Sequence, residues 1–275
     1  MLDHARDCLA ARNLSGLLAT AQNLPPIGIL DLLESALRSK KEWAWPHLLK
    51  FIDPKFHTSV LCLASVHRHQ QCFDTIFNNM NWSAVSANIA HDLITRCATH
   101  NDTYGFFKIA PFVPLHTCSN IAFIAVARNN PEILAHILSH AVLNAEQQRQ
   151  SVVKAVECQH ETCLDILLPH STKVAFVDTD IQRMMHHIDA PANLLKKVGP
   201  YFTQNNFNTV LHLACLEGND DVLLFAFPHA QISKVLQLLK GQPSQLLQEC
   251  INQAQKDRIS KKITSKPSAV SVRKM

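Results

Sequence analysis

One spacing constrains this chain more than any other feature. Short polar breaks between apolar stretches fall at Leu14, Glu42, Gln70, Asp102, Pro131, Glu161, Pro191 and Asp220, at intervals of 28, 28, 32, 29, 30, 30 and 29 residues. A shorter step of 21 residues leads to a last break near Gly241. Self-similarity at such a period marks stacked supersecondary units, not one globular core. The units read as 1–24, 25–53, 54–83, 84–115, 116–144, 145–174, 175–204, 205–229 and 230–255.

Within each unit the apolar residues recur at helical spacing. Ile89, Ala90, Leu93, Ile94, Cys97 and Ala98 share one face of a first helix, and Ile181, Met184, Met185 and Ile188 share one in another unit. Second helices follow, with Ile133, Leu134, Ile137 and Leu138 in one unit and Leu164, Leu167 and Leu168 in the next. Strand-like alternation bounded by turn residues is hard to find. A helix pair this small cannot bury its apolar face alone, but a stack of pairs can. The predicted fold is an all-α solenoid of about nine stacked helix pairs over residues 1–255. The apolar fraction of 47% is enough to fill its core.

The remaining residues, 256–275, carry seven basic side chains against Asp257 alone. The net charge of +4 therefore divides into +6 on this segment and −2 on the rest. The segment is expected to be a basic, disordered tail, including Lys261-Lys262 and Lys266-Pro267-Ser268. The slightly acidic body lacks the basic stripe of a dedicated nucleic-acid binder and weighs against that partner.

One unit carries a family likeness. Residues Asn208 to Leu224, reading Asn-Thr-Val-Leu-His-Leu-Ala-Cys-Leu-Glu-Gly-Asn-Asp-Asp-Val-Leu-Leu, resemble an ankyrin repeat, with Val210 at the family's proline position. Weaker copies start at Thr58, Ser119 and Ser151, where Cys62, Phe123 and Lys154 replace the histidine and Asn101, Asn130 or His160 stands near the turn in place of glycine. The fold is thus expected to be a degenerate ankyrin-like array, with another α-hairpin solenoid as the alternative. The motif assigns structural roles: Thr209 as helix cap, His212 as a local hydrogen-bonding residue, Ala214 at a close helix approach, and Gly218 at a left-handed helix end. The resemblance also implies recognition through the loops between units and the inner face of the first helices. Phe56-His57, Asn81-Trp82, Val113-Pro114 and Asn206-Phe207 fall in such loops, so Phe56, His57, Trp82, Asn206 and Phe207 are the candidate binding residues. Trp43 and Trp45 fall at the start of a second helix, on its outer side or in the core.

Candidate chemistry is sparse. With six glycines in the chain, no phosphate loop or dinucleotide fingerprint is present. Cys158-x-His160-x-x-Cys163 has ligand-like spacing but no fourth ligand near it, and it falls where a helix pair needs small core residues. The pairs His67-Arg68-His69 and His186-His187 fall at helix ends, where a cation is favoured. No metal, cofactor or catalytic residue is expected. Nine dispersed cysteines with no secretion signal at the N-terminus read as buried thiols in a reducing, cytoplasmic compartment. The longest uncharged run, Ile109 to Ala127, contains Pro111, Pro114 and Asn120, so no membrane span is expected.

These readings make the chain a protein–protein interaction scaffold, not an enzyme. Glycine-poor ankyrin arrays rich in Cys and His are similar to effectors that intracellular bacteria deliver into host cells, which implies such delivery here. The alternatives are an enzyme with a hidden Cys–His site and an adaptor addressed by its basic tail.

Overall fold

The computed structural model describes residues 1–171, 174–186 and 192–264, with side chains through Asp257. His187, Ile188, Pro191, Lys266, Pro267, Ser268 and the basic residues Arg273 and Lys274 of the expected tail lie outside the described residues. Among the described residues all regular structure is helical. The helices are α1 (Leu2–Ala10), α2 (Leu14–Ala21), α3 (Pro26–Arg38), α4 (Trp45–Leu48), α5 (His57–Val66), α6 (Gln70–Asn79), α7 (Ala87–Thr99), α8 (Thr103–Ile109), α9 (Ser119–Ala127) and α10 (Pro131–His140). They continue with α11 (Ala145–Glu157), α12 (Glu161–Leu167), α13 (Asp178–Met185), α14 (Ala192–Val198), α15 (Gln204–Glu217), α16 (Asp220–Ala226), α17 (Ile232–Leu238) and α18 (Gln245–Thr264). The chain divides into two units, Met1–Gln147 and Gln148–Met275.

In the first unit, the odd-numbered helices α1, α3, α5, α7 and α9 pack on one another in sequence order. The even-numbered α6, α8 and α10 form a second layer, and each pair closes on itself. The second unit repeats this plan, with α13, α15 and α17 in one layer and α14 against α16 in the other. Each unit is therefore an all-α stack of helix pairs. The interior is apolar: Leu32, Leu33, Leu61, Ile94, Ile121, Ile133 and Leu134 are fully buried in the first unit, and Ile181, Leu195, Leu211 and Val222 in the second. One residue departs from its expected place. Ile89 opens α7 on its solvent side and is 44% exposed, while Ala90, Leu93, Ile94, Cys97 and Ala98 are buried.

Two local devices set the period. A residue at positive φ ends the first helix of a pair and turns the chain into the second. Arg12, Lys40, Arg68, Asn101, Asn129, Gln159, Gly218 and Lys240 hold this place, with φ between 51° and 69°. The next residue often caps the second helix. Asn13, Asp102, Asn130 and Asn219 each accept from the backbone N–H three residues on, at 3.0 to 3.1 Å. Successive turns are tied together by Asn130, whose side-chain amide donates to Asn101 and, at 2.8 Å, to Thr103. Gly105 is needed beside such a cap, because a Cβ there would collide with the Asp102 carboxylate and meet the Phe73 ring at 3.0 Å.

The second device ends the second helix. Pro111, Pro169, Pro200 and Pro228 lack the N–H a continuing helix needs, and a single 3-10 turn follows at Ala110–Phe112, Leu168–His170, Gly199–Tyr201 and Phe227–His229.

The start of α15 differs from the expectation drawn from the ankyrin likeness. Thr209 lies inside this helix, not at its cap. The cap is Thr203, whose hydroxyl accepts from Asn206 N–H at 3.2 Å while the Asn206 side-chain oxygen accepts from Thr203 N–H at 2.9 Å. Thr209 instead donates to Asp178 on α13 at 3.1 Å. His212 is half-buried, Ala214 is fully buried, and Gly218 takes the left-handed conformation at φ 69°.

The segment expected to be disordered from Lys256 is helical at first, since α18 continues to Thr264. Gln, Lys, Arg and Ile are tolerated in a helix, and Gln253 bonds Asp257 one turn on at 2.9 Å.

Candidate binding edges

The connections between pairs form one edge of the stack in the first unit, and the turns within pairs form the opposite edge. In the first unit the connecting edge carries Trp82 and Phe112. Trp82 opens the 3-10 turn Trp82–Ala84, and its indole N–H donates to the Phe77 carbonyl at 3.1 Å, which fixes the ring. Phe112 closes the proline-induced turn after α8. The two rings stack, with centroids 4.7 Å apart and planes 20° from parallel. Phe77 packs against both, at 4.7 Å from Trp82 and 5.9 Å from Phe112. Trp82 is half-buried and Phe112 is 43% exposed.

Charges border this platform. The Lys108 ammonium lies 5.8 Å from the Phe77 centroid and 5.4 Å from that of Tyr104, and 3.4 Å from Asp74. Asp74 accepts from the Tyr104 hydroxyl at 2.6 Å, and that bond raises the phenol pKa.

The other candidate residues sit elsewhere. Phe56 ends the 3-10 turn Pro54–Phe56 and is half-buried, with the Lys55 ammonium 5.2 Å from its ring centroid. His57, the first residue of α5, is also half-buried. Asn206 and Phe207 do not lie in a loop. Asn206 is 2% exposed, and besides closing the cap of α15 it donates to the Phe176 carbonyl at 3.2 Å. That buried, hydrogen-bonded amide holds the helix start and the neighbouring backbone, so the expectation that it sits in a loop and binds a partner is corrected. Phe207 is half-buried on α15, stacked 4.6 Å from His229 and edge-on to Phe202 at 5.5 Å. Trp82, Phe56 and Phe207 therefore do not occupy one repeated position: Trp82 stands five residues before its helix, Phe56 one before, and Phe207 inside. Trp45 is 6% exposed and packs edge-on to His69 at 5.1 Å, and Trp43 is half-buried beside it in sequence.

Sequence reasoning missed Phe112, because the turn that exposes it is signalled only by Pro111. It also missed the character of the opposite edge. There the first three left-handed positions of the first unit are held by Arg12, Lys40 and Arg68, all exposed, the fourth by Asn101, and Arg128 precedes Asn129 in the turn of the fifth pair. The Arg68 guanidinium reaches the His100 carbonyl of the next turn, at 3.5 Å.

The cysteine and histidine candidates are held by packing. Burial pushes the Cys72 and Cys97 thiols up to about 12 and Cys163 up to about 11. Cys163 is a core residue of α12, His160 is the residue preceding that helix, and Cys158 is half-buried at the turn. His67 ends α5, and His69 caps α6 by accepting from Cys72 N–H at 3.2 Å. His186 is the residue after α13. Among the described residues no three His, Cys, Asp or Glu side chains are gathered as a metal site, and no helix is long and apolar enough to cross a membrane.

In the second unit the first helices are linked by charge. Arg149 on α11 bonds the buried Asp180 of α13 at 2.5 Å, and Arg183 of α13 reaches Glu157 of α11 at 3.2 Å. Burial opposes ionisation of Glu157, but bonds from Lys154 and Arg183 outweigh it and hold its carboxyl below the usual range.

No protein-family model matches the chain, and no curated protein does. Among solved structures it aligns with a "circular tandem repeat protein with novel repeat topology and enhanced subunit contact surfaces" at 14% identity, over 86% of this chain and 56% of that one, with a TM-score of 0.20. The chain thus spans little more than half of that protein.

Proposed function

We propose that this chain is a non-catalytic binding scaffold whose partner is a protein, anchored on the aromatic platform of the first unit. The observation that carries the reading is the Trp82–Phe112 stack. Two connections contribute one ring each, the rings are pinned by Phe77, and a substantial part of Phe112 remains in water. Preorganised aromatic side chains are the commonest anchors of protein interfaces, because they bury a large area at little entropic cost. The scarcity of glycine, with no phosphate-cradling loop, supports a role without catalysis. Nine thiols, five of them buried, support a reducing, cytoplasmic setting.

The ankyrin-type version of this reading rests on residues 208–224. The left-handed Gly218 and the buried Ala214 support it. The start of α15 and the 3-10 turns between pairs follow another pattern, so the anchor is placed on the connecting edge and not on ankyrin-like loops. Delivery into a host cell rests on the resemblance alone.

The test is selection of binders to the full chain from a displayed random peptide library. The scaffold reading expects binders whose capture drops at least thirtyfold with Trp82→Ala plus Phe112→Ala, since an anchor truncation costs about 2 kcal/mol or more. Selection that yields no binder, or only binders indifferent to both rings, refutes it.

A further inference from the structure

The within-pair turns of the first unit use an expensive residue where a cheap one exists. Positive φ suits glycine and penalises a side chain, and Gly218 shows that the chain can use glycine at this place, although Gln159 and Lys240 hold it in two other turns of the second unit. Yet the first three turns place Arg12, Lys40 and Arg68 there, at φ 57°, 52° and 53°. A cation near a helix C-terminus gains from the helix dipole. That gain does not require the left-handed position, since Arg128 takes it one residue earlier, ahead of Asn129. Arg12, Lys40 and Arg128 make no ion pair or side-chain hydrogen bond among the described residues, and all are exposed. The acids nearest these turns in sequence are Asp7, Glu42, Asp74 and Glu132, of which Asp74 is engaged by the Tyr104 hydroxyl and the Lys108 ammonium.

The spacing of the cations selects a ligand shape. Packed helices lie about 8–10 Å apart, so equivalent turns of successive pairs repeat at about that distance. A polyproline II segment has three residues per turn and rises about 3.1 Å per residue, so every third side chain returns to one face about 9 Å further on. We propose that the ridge of Arg12, Lys40 and Arg68 on three successive turns, continued by Arg128 one turn beyond the uncharged Asn101, binds an acidic protein segment in polyproline II conformation, with Asp or Glu at every third position. This proposal rests on the scaffold reading and adds a second contact to it, on the edge opposite the aromatic platform. A single file of a few cations on a unit that also carries acids fits such a segment better than a nucleic acid, which calls for a broad basic surface.

The test titrates the full chain with a fluorescent (Glu-Pro-Pro)5 peptide at low salt. The control peptide has the same composition with its five Glu contiguous, and the other arms are duplex DNA and phosphatidylserine vesicles. Binding of the spaced peptide is expected to exceed that of the contiguous one. It should fall about tenfold in Arg12→Gly/Lys40→Gly/Arg68→Gly, as expected for three exposed ion pairs lost together. The thermal midpoint of that variant should hold or rise, because glycine relieves the turns. The matching Gln variant should lose binding alike while keeping the backbone restraint. Equal binding of both peptides, tighter binding of DNA or vesicles, or wild-type binding by both variants would overturn the proposal. Trp82→Ala/Phe112→Ala should bind this peptide as wild type does. If the ridge peptide fails while library-selected peptides still depend on the two rings, the ridge proposal falls and the scaffold reading stands.

Discussion

Asn130 is the best place to perturb the stack. It is 5% exposed and uses its whole side chain. Its oxygen accepts from Ile133 N–H at 3.0 Å and caps α10, while its amide donates to Asn101 and Thr103 in the turn of the preceding pair. Asn130→Ala removes the cap, worth about 1 kcal/mol. It also removes two further bonds, each worth about 1 kcal/mol net. The total is roughly 2–3 kcal/mol, which in a unit of this size lowers the thermal midpoint by roughly 5–10 °C. The pattern of loss is more informative than its size. In a stack, stability is a sum of local and nearest-neighbour terms, so amide exchange should quicken in α8, α9 and α10 and stay unchanged in α1 and α2. Hydrogen exchange read by mass spectrometry gives this map. A uniform rise over α1 to α10 would mean that the first unit unfolds as one block, and the repeat argument would fail.

Two further expectations concern titrating groups. Cys72 and Cys97, pushed up to about 12 by burial, should resist alkylation at pH 8 in the native protein and react only on unfolding; rapid native labelling of either would place it outside the core. The depressed carboxyl of Glu157 contributes stability that is present above its ordinary pKa and is lost as pH falls through the lowered folded value. Glu157→Gln should therefore flatten the acid limb of the unfolding curve, and an unchanged limb would refute the bridge to Arg183.

The period was legible because each turn needs polar residues, and most of the breaks within the described residues fall one or two residues after a left-handed position, at or next to the start of the second helix. Gln70 follows Arg68, Pro131 follows Asn129 and Asp220 follows Gly218 in this way. The left-handed positions themselves were hidden, since Arg and Lys give no sign of positive φ. The start of α15 was misplaced because the ankyrin register drew attention to Thr209, whereas the cap is built by Thr203 and Asn206, three residues apart and outside the quoted motif. The candidate site was half legible. Trp82 could be singled out as a large ring in a connection, but its partner Phe112 comes from the next connection, 30 residues on, and only folding brings the two rings together. Asn206 illustrates the converse: a polar residue beside an aromatic looked like a contact and is a buried cap.

On this reading the connecting edge of the first unit holds the partner. Hydrogen exchange of the full chain with and without a library-selected peptide tests it most directly. Exchange should slow at the backbone of residues 77–85 and 108–113, around Trp82 and Phe112, with the remaining connections unchanged. Protection confined to the exposed face of α5 and α7, around Cys62 and Ile89, with none at residues 77–85 or 108–113, would contradict it.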